Sequence, residues 1–218
     1  MLTCEIKEND KERITKILIK LAENYPEAKT GLVYKDNFQL FVATVLSAQT
    51  TDLQVNKITG KLFAAVPDIY TLSRMKASEL EPYIRNCGLY HQKSRSLVQA
   101  ARIIVNDYDG SIPDTLEELI KLPGVGRKTA NIIISSVYGK PAIAVDTHVF
   151  RVSKRLNLAD GKNVDVVEKQ LKKVVPIEEW VNTHHRLIAH GRKICFARNP
   201  LCSDCFLKCL CIYSSERS

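Results

Sequence analysis

The chain has 218 residues, long enough for one large or two small domains with a sizeable core. Lys and Arg total 32 against 24 Asp and Glu, and the resulting charge of +8 argues for a polyanionic partner, nucleic acid first. The first residues, with Glu5, Lys7, Glu8, Asp10, Lys11 and Arg13, lack the apolar core of a signal peptide, and no stretch approaches the roughly 18 apolar residues of a membrane span. A cytoplasmic protein without membrane association is expected.

Apolar spacing is helical from the start, at Ile14, Ile17, Leu18 and Leu21. It resumes at Phe38, Phe41, Val42, Val45 and Leu46, and again at Leu97, Ala100, Ala101, Ile104 and Val105. Breaks at Tyr25-Pro26, Val66-Pro67, Cys87-Gly88, Asp109-Gly110, Gly139-Lys140-Pro141 and Asp160-Gly161 divide the chain into about ten helices by the usual start and stop signals. Strand alternation is scarcely visible, so an all-α fold is predicted.

Asp114 is predicted to cap a short helix through Leu116, Leu119 and Ile120, after which Pro123, Gly124 and Gly126 force a tight reversal into a second helix. Glycines at both positions permit positive φ and close backbone approach, so the amides of Val125, Gly126 and Arg127 can point together at an anion, naturally a phosphodiester. A P-loop is excluded because Arg127 stands where glycine must precede Lys-Thr, and a dinucleotide fingerprint because Thr129 replaces its third glycine. An ordinary helical hairpin with structural glycines stays open at this point. Beyond Gly139-Lys140-Pro141 the run Ala142 to Val145 reads as extended, and a domain boundary is placed there.

Five of the seven cysteines lie between 195 and 211. Cys195, Cys202, Cys205 and Cys211 follow the spacing C-x6-C-x2-C-x5-C, with Cys209 as an extra thiol. Four thiolates so close can wrap one tetrahedral ion or an iron-sulfur cubane, and the single Cys-x2-Cys pair favours the cluster without eliminating zinc. An odd number of thiols fits metal ligation better than a disulfide framework. His184, His185 and His190 do not match a zinc-helix spacing and read as packing residues.

The hairpin Leu122 to Asn131, the segment Val145-Asp146-Thr147-His148-Val149-Phe150-Arg151-Val152 and the cysteine tail occur in this order at these separations. With Leu46-Ser47-Ala48-Gln49-Thr50-Thr51-Asp52 and Gly88-Leu89-Tyr90, they closely resemble the endonuclease III family, over about Asn37 to Cys211. These are helix-hairpin-helix DNA glycosylases whose bifunctional members excise oxidised pyrimidines.

The resemblance implies two helical lobes with a DNA-binding cleft between them: a central domain over 30–140 and an iron-sulfur domain built from 1–29 and 141–218. It implies Lys128 as nucleophile, Asp146 as essential carboxylate, and Cys195, Cys202, Cys205 and Cys211 as ligands of a [4Fe-4S] cluster. It implies Gln49 and Leu89 as the residues that enter the duplex when the damaged base leaves it. Gly124, Val125, Gly126, Arg127 and the basic loop at Arg198 are the remaining expected DNA contacts.

Residue chemistry supports the catalytic pair independently. A neutral amine is needed for attack on C1′, and the helix N-terminus beside Arg127 disfavours the ammonium form of Lys128. Asp146 precedes a helix and so also reads as a plain N-cap. The expected partner is double-stranded DNA carrying an oxidised pyrimidine or an abasic site, met at the nucleoid by a monomer. The alternatives are a monofunctional mismatch glycosylase of the same superfamily and a non-catalytic iron-sulfur DNA-binding protein.

Overall fold

The computed structural model describes residues 10–215, and among these every regular element is helical. The helices are α1 (Asp10–Asn24), α2 (Asn37–Leu46), α3 (Asp52–Ala65), α4 (Ile69–Arg74), α5 (Ala77–Ile84) and α6 (Tyr90–Asp107). After these come α7 (Leu116–Leu119), α8 (Arg127–Tyr138), α9 (Thr147–Arg155), α10 (Val164–Val174), α11 (Trp180–Lys193) and α12 (Ile212–Ser215). Short 3-10 turns at Ile177–Glu179 and Lys208–Leu210 complete the order. None of these helices is long and apolar enough to cross a membrane.

The backbone divides into two compact units, one spanning Gly31–Lys140, the other formed by the chain up to Thr30 together with the chain from Pro141 onward. In the continuous unit, α6 packs along α4 and α5 while α2 packs against α8. Leu40, Phe41, Leu46, Leu80, Ile84, Leu97, Ile104 and Ile133 are fully buried there. Burying such side chains contributes on the order of 1.5–3 kcal/mol each, which fixes the helices that carry the loops.

In the discontinuous unit, Ile17 and Leu21 of α1 join Ile143, Val149, Val152, Leu171, Leu187 and Leu207 in one core. Arg13 ties the two chain segments of this unit together. Its guanidinium, buried to 1% exposure, donates to the carbonyls of Leu156 (2.8 Å), Asn157 (3.1 Å) and Leu210 (3.1 Å). These carbonyls close the ends of α9 and the second 3-10 turn, where C=O groups lack helical partners.

One local expectation is corrected. The cap of α7 is Thr115, whose hydroxyl accepts from the Glu118 amide at 3.3 Å, and not Asp114. Asp114 instead holds Lys140 Nζ at 2.6 Å, across the end of α8. Glu118 Oε2 also accepts from the Thr115 hydroxyl at 2.7 Å, so Thr115 and Glu118 bond to each other at the helix start. The run from Ala142 to Val145 is extended as predicted but is buried and pairs with no strand among the described residues.

Candidate active site

In the continuous unit the reversal before α8 is built by one special glycine. Gly124 has φ +81°, and a Cβ there would lie 2.9 Å from Ser96 Cβ on α6, so both conformation and packing require glycine. Gly126 differs from expectation: its φ is −89°, ordinary extended backbone, and a Cβ added to it would meet nothing within 4 Å. The glycine there leaves open space at the start of α8 instead of relieving strain.

Of the three amides expected to face an anion, that of Val125 donates to the Leu122 carbonyl at 3.1 Å, and the Val125 side chain is buried. The Val125 amide therefore leaves the expected set, and Gly126, the N-cap of α8, supplies no capping side chain. Lys128 is the second residue of α8 and is exposed. Its ammonium is thus carried at the positive end of a helix of 12 residues.

The loops after α2 and before α6 carry Gln49 and Leu89. Five non-glycine residues of the described chain have positive φ: Gln49, Leu89, Asp109, Asn157 and Asn199. Three are Asp or Asn, which tolerate that region, whereas Gln49 (φ 57°) and Leu89 (φ 59°) do not tolerate it readily. Leu89 is also 56% exposed, in the first position before α6, with no capping hydrogen bond from its side chain. Leu89 thus combines a large exposed apolar side chain with a strained backbone conformation.

In the discontinuous unit Asp146 is the N-cap of α9: its Oδ1 accepts from the amides of His148 and Val149, both at 2.8 Å. The extended segment leading into Asp146 is held by buried His184 of α11, whose Nδ1 donates to the Ala144 carbonyl at 2.7 Å. His148 lies on the same first turn, and burial pushes its imidazole below the ordinary range. Beyond the packing role its spacing suggests, His184 is adjacent to the segment before Asp146 through tertiary contact alone.

Cys195, Cys202, Cys205 and Cys211 all line one apolar cavity together with Leu156, Ile194 and Leu201. Burial pushes the Cys205 thiol up to about 11 and raises that of Cys211, with the neighbouring thiols adding to both. Such a cavity disfavours thiolates unless a cation compensates them. Among the described residues no three His, Cys, Asp or Glu side chains converge tightly enough for a single metal ion. Cys209 is not among the residues that line this cavity.

Two arginines one turn apart on α9 secure the loop between Cys195 and Cys202. Arg151 Nε donates to the Cys195 carbonyl at 3.1 Å, and Arg155 donates to the carbonyls of Phe196 (2.6 Å) and Ala197 (3.0 Å). Arg155 Nη1 also reaches Cys195 Sγ at 3.3 Å, an outer contact of the kind that orients a metal-binding thiolate. The sequence signal for this, an Arg pair at i and i+4 on one helix, was present but unassigned. Arg198 and Phe196 are left exposed on that loop.

A bent helical pair at a glycine reversal, a lysine at the start of its second helix and a C-terminal cysteine loop define a class of DNA repair proteins. Residues 42–177 match the HhH-GPD superfamily base excision DNA repair protein family. Endonuclease III of Escherichia coli (strain K12) is 42% identical over 207 residues, covering 95% of this chain and 98% of that protein. The Bacillus subtilis (strain 168) endonuclease III is 45% identical over 201 residues, covering 92% of each.

Among solved structures, a trapped endonuclease III-DNA covalent intermediate, an estranged-adenine complex, superposes with a TM-score of 0.90 at 44% identity. That match covers 100% of this chain and 99% of the other. A thermostable thymine-DNA glycosylase, 23% identical with a TM-score of 0.85, shares the fold. The chain belongs to the endonuclease III family within the HhH-GPD superfamily.

Proposed function

We propose that this protein is a bifunctional base excision repair enzyme that removes oxidised pyrimidines from duplex DNA and cleaves the strand at the abasic site. The observation that carries this reading is Lys128, exposed in the first turn of α8 directly after the glycine reversal. There a nucleophilic amine stands beside amides suited to a phosphodiester. A relative at 44% identity has been captured as a covalent intermediate with DNA, the chemistry a lysine nucleophile would give.

Lys128 Nζ attacks C1′ of the extruded nucleotide as the base departs, and the resulting Schiff base undergoes β-elimination, cutting the strand on the 3′ side of the lesion. Asp146 supplies the carboxylate that stabilises positive charge on the sugar and accepts the proton lost by the amine. Such a positioned group is typically worth about 10²- to 10⁴-fold in rate. Asp146 Oδ1 accepts both capping bonds at 2.8 Å, so the start of α9 fixes the position of the carboxylate. Gly126 and Arg127 hold phosphate at the start of α8. Gln49 and Leu89 fill the space the nucleotide vacates, the use their exposure and strained backbone suit best. Arg198 adds a phosphate contact from the cysteine loop.

Cys195, Cys202, Cys205 and Cys211 are proposed as the ligands of a [4Fe-4S] cluster. Four free thiols on one apolar cavity, in the spacing C-x6-C-x2-C-x5-C with a single Cys-x2-Cys pair, support this reading. Bound there, the cluster would supply cationic charge that keeps the thiolates ionised and pins the 195–211 loop. Hydrolytic and lyase steps transfer no net electrons, so its role in the reaction is structural.

The test is cleavage of an abasic duplex by the wild type, Lys128→Ala and Asp146→Asn. Loss of cleavage in both variants with DNA binding kept supports the lyase reading. Undiminished cleavage by Lys128→Ala would refute it.

A further inference from the structure

The most unusual polar group in the continuous unit is Lys93, in the first turn of α6, which is only 7% exposed. Its Nζ donates to the carbonyls of Leu46 (2.8 Å) and Ala48 (2.6 Å), and contacts Thr50 Oγ1 (3.2 Å) and Cys87 Sγ (3.0 Å). None of the four is a carboxylate, so a buried ammonium is held by dipoles alone. Such an arrangement is costly and persists only where the surroundings fix it.

The four partners belong to the end of α2 with the loop after it and to the loop before α6. Leu46, Ala48 and Thr50 bracket Gln49; Cys87 lies two residues before Leu89. The loops also join directly, through Thr50 Oγ1 and Cys87 Sγ at 3.1 Å and from Cys87 Sγ to the Leu46 carbonyl at 3.2 Å. The backbone amides of Gln92 and Lys93 both donate to the Leu89 carbonyl at 3.0 Å, so Lys93 grips the Leu89 turn from its own main chain as well. Each loop presents a non-glycine residue in the left-handed region, and those are the two in the described chain that are neither Asn nor Asp. A strained conformation persists when neighbouring contacts over-determine it, and one ammonium supplies such contacts to both.

We propose that Lys93 is a positioning residue that locks the Gln49 and Leu89 turns into one register, so that both side chains enter the duplex as a unit. This rests on the reading that Gln49 and Leu89 enter the duplex. Lys93 touches neither the substrate nor the reacting atoms; it acts through the two loops.

The experiment compares Lys93→Met and Lys93→Gln with the wild type, as full-length cluster-loaded protein, in two single-turnover assays. One is base release from a duplex carrying a single oxidised thymine; the other is cleavage of an abasic site in a single strand, where there is no stack to invade. The proposal expects duplex excision to fall about 100-fold, the scale of a misplaced contact remote from the chemistry, with single-strand cleavage nearly unchanged. Fluorescence of 2-aminopurine placed beside the lesion, which reports unstacking, should rise in the wild type and not in the variants. In a Gln49→Ala/Leu89→Ala background, Lys93→Met should add no further loss of duplex excision.

Equal loss on both substrates, or a full additional loss in the double-alanine background, would overturn the positioning role. Wild-type excision by Gln49→Ala/Leu89→Ala would instead sink the duplex-entry reading beneath it. If both Lys93 variants fail to fold, Thr50→Val/Cys87→Ala removes two of the four contacts and should show the same substrate-selective loss at smaller size; no selectivity there overturns the proposal.

Discussion

The two glycines of the hairpin should separate folding from DNA binding. Gly124→Ala forces a side chain into φ +81° and brings its Cβ to 2.9 Å from Ser96 Cβ, a carbon fixed to the α6 backbone that cannot swing aside. Left-handed backbone costs about 1–2 kcal/mol for a non-glycine residue, and overpacking a rigid neighbour adds about 1–3 kcal/mol. A loss of about 3 kcal/mol lowers the melting temperature of a protein this size by roughly 6 to 12 °C. Gly126→Ala meets no atom within 4 Å at φ −89°, and as an N-cap replacement should cost under about 1 kcal/mol. If Gly126 holds phosphate as proposed, the added methyl should obstruct it, and loss of one charge-assisted backbone contact should weaken duplex affinity about 10-fold. Thermal melting by circular dichroism and duplex titration by fluorescence anisotropy give the two readouts. A Gly124→Ala protein as stable as wild type would refute the packing argument, and a Gly126→Ala protein with undiminished affinity would refute the phosphate site.

Further outcomes follow from the other site residues. Asp146→Asn keeps an equally good capping side chain, so its melting temperature should hold while strand cleavage collapses; Asp146→Ala should additionally lose about 1 kcal/mol of stability in a denaturant titration. Leu89→Ala removes a side chain that is 56% exposed, so duplex excision should fall with little change in melting, and a large melting shift would show that Leu89 is core. Cys209→Ser should keep the visible absorbance of the cluster, because Cys209 lies outside the C-x6-C-x2-C-x5-C spacing and outside the four-thiol cavity; a bleached protein would mean that the ligand set is wrong.

Much of this was legible in the linear pattern because the signals are local. Helical periodicity marks α1, α2 and α6; Gly124 and Gly139 sit at the positive-φ positions where a turn and a helix end need them. Asp146 followed by amphipathic spacing announces the start of α9. Where signals compete locally, the sequence misleads by a residue: Asp114 and Thr115 are both good caps, and the reciprocal bond with Glu118 decides for Thr115. The two hairpin glycines look equivalent in one dimension, yet Ser96 crowds only Gly124, a contact made by α6. Lys93 was not legible at all. In sequence it is one more lysine of a basic chain, and its four partners lie 6 to 47 residues away. The same holds for His184, whose bond to Ala144 spans 40 residues.

The most direct measurement is borohydride trapping of the purified protein on a duplex containing one oxidised thymine, with Lys128→Ala alongside. A covalent protein-DNA adduct and a strand cut in the wild type, both absent in the variant, are the predicted result. Base release without an adduct, or an adduct that survives the loss of Lys128, would contradict it.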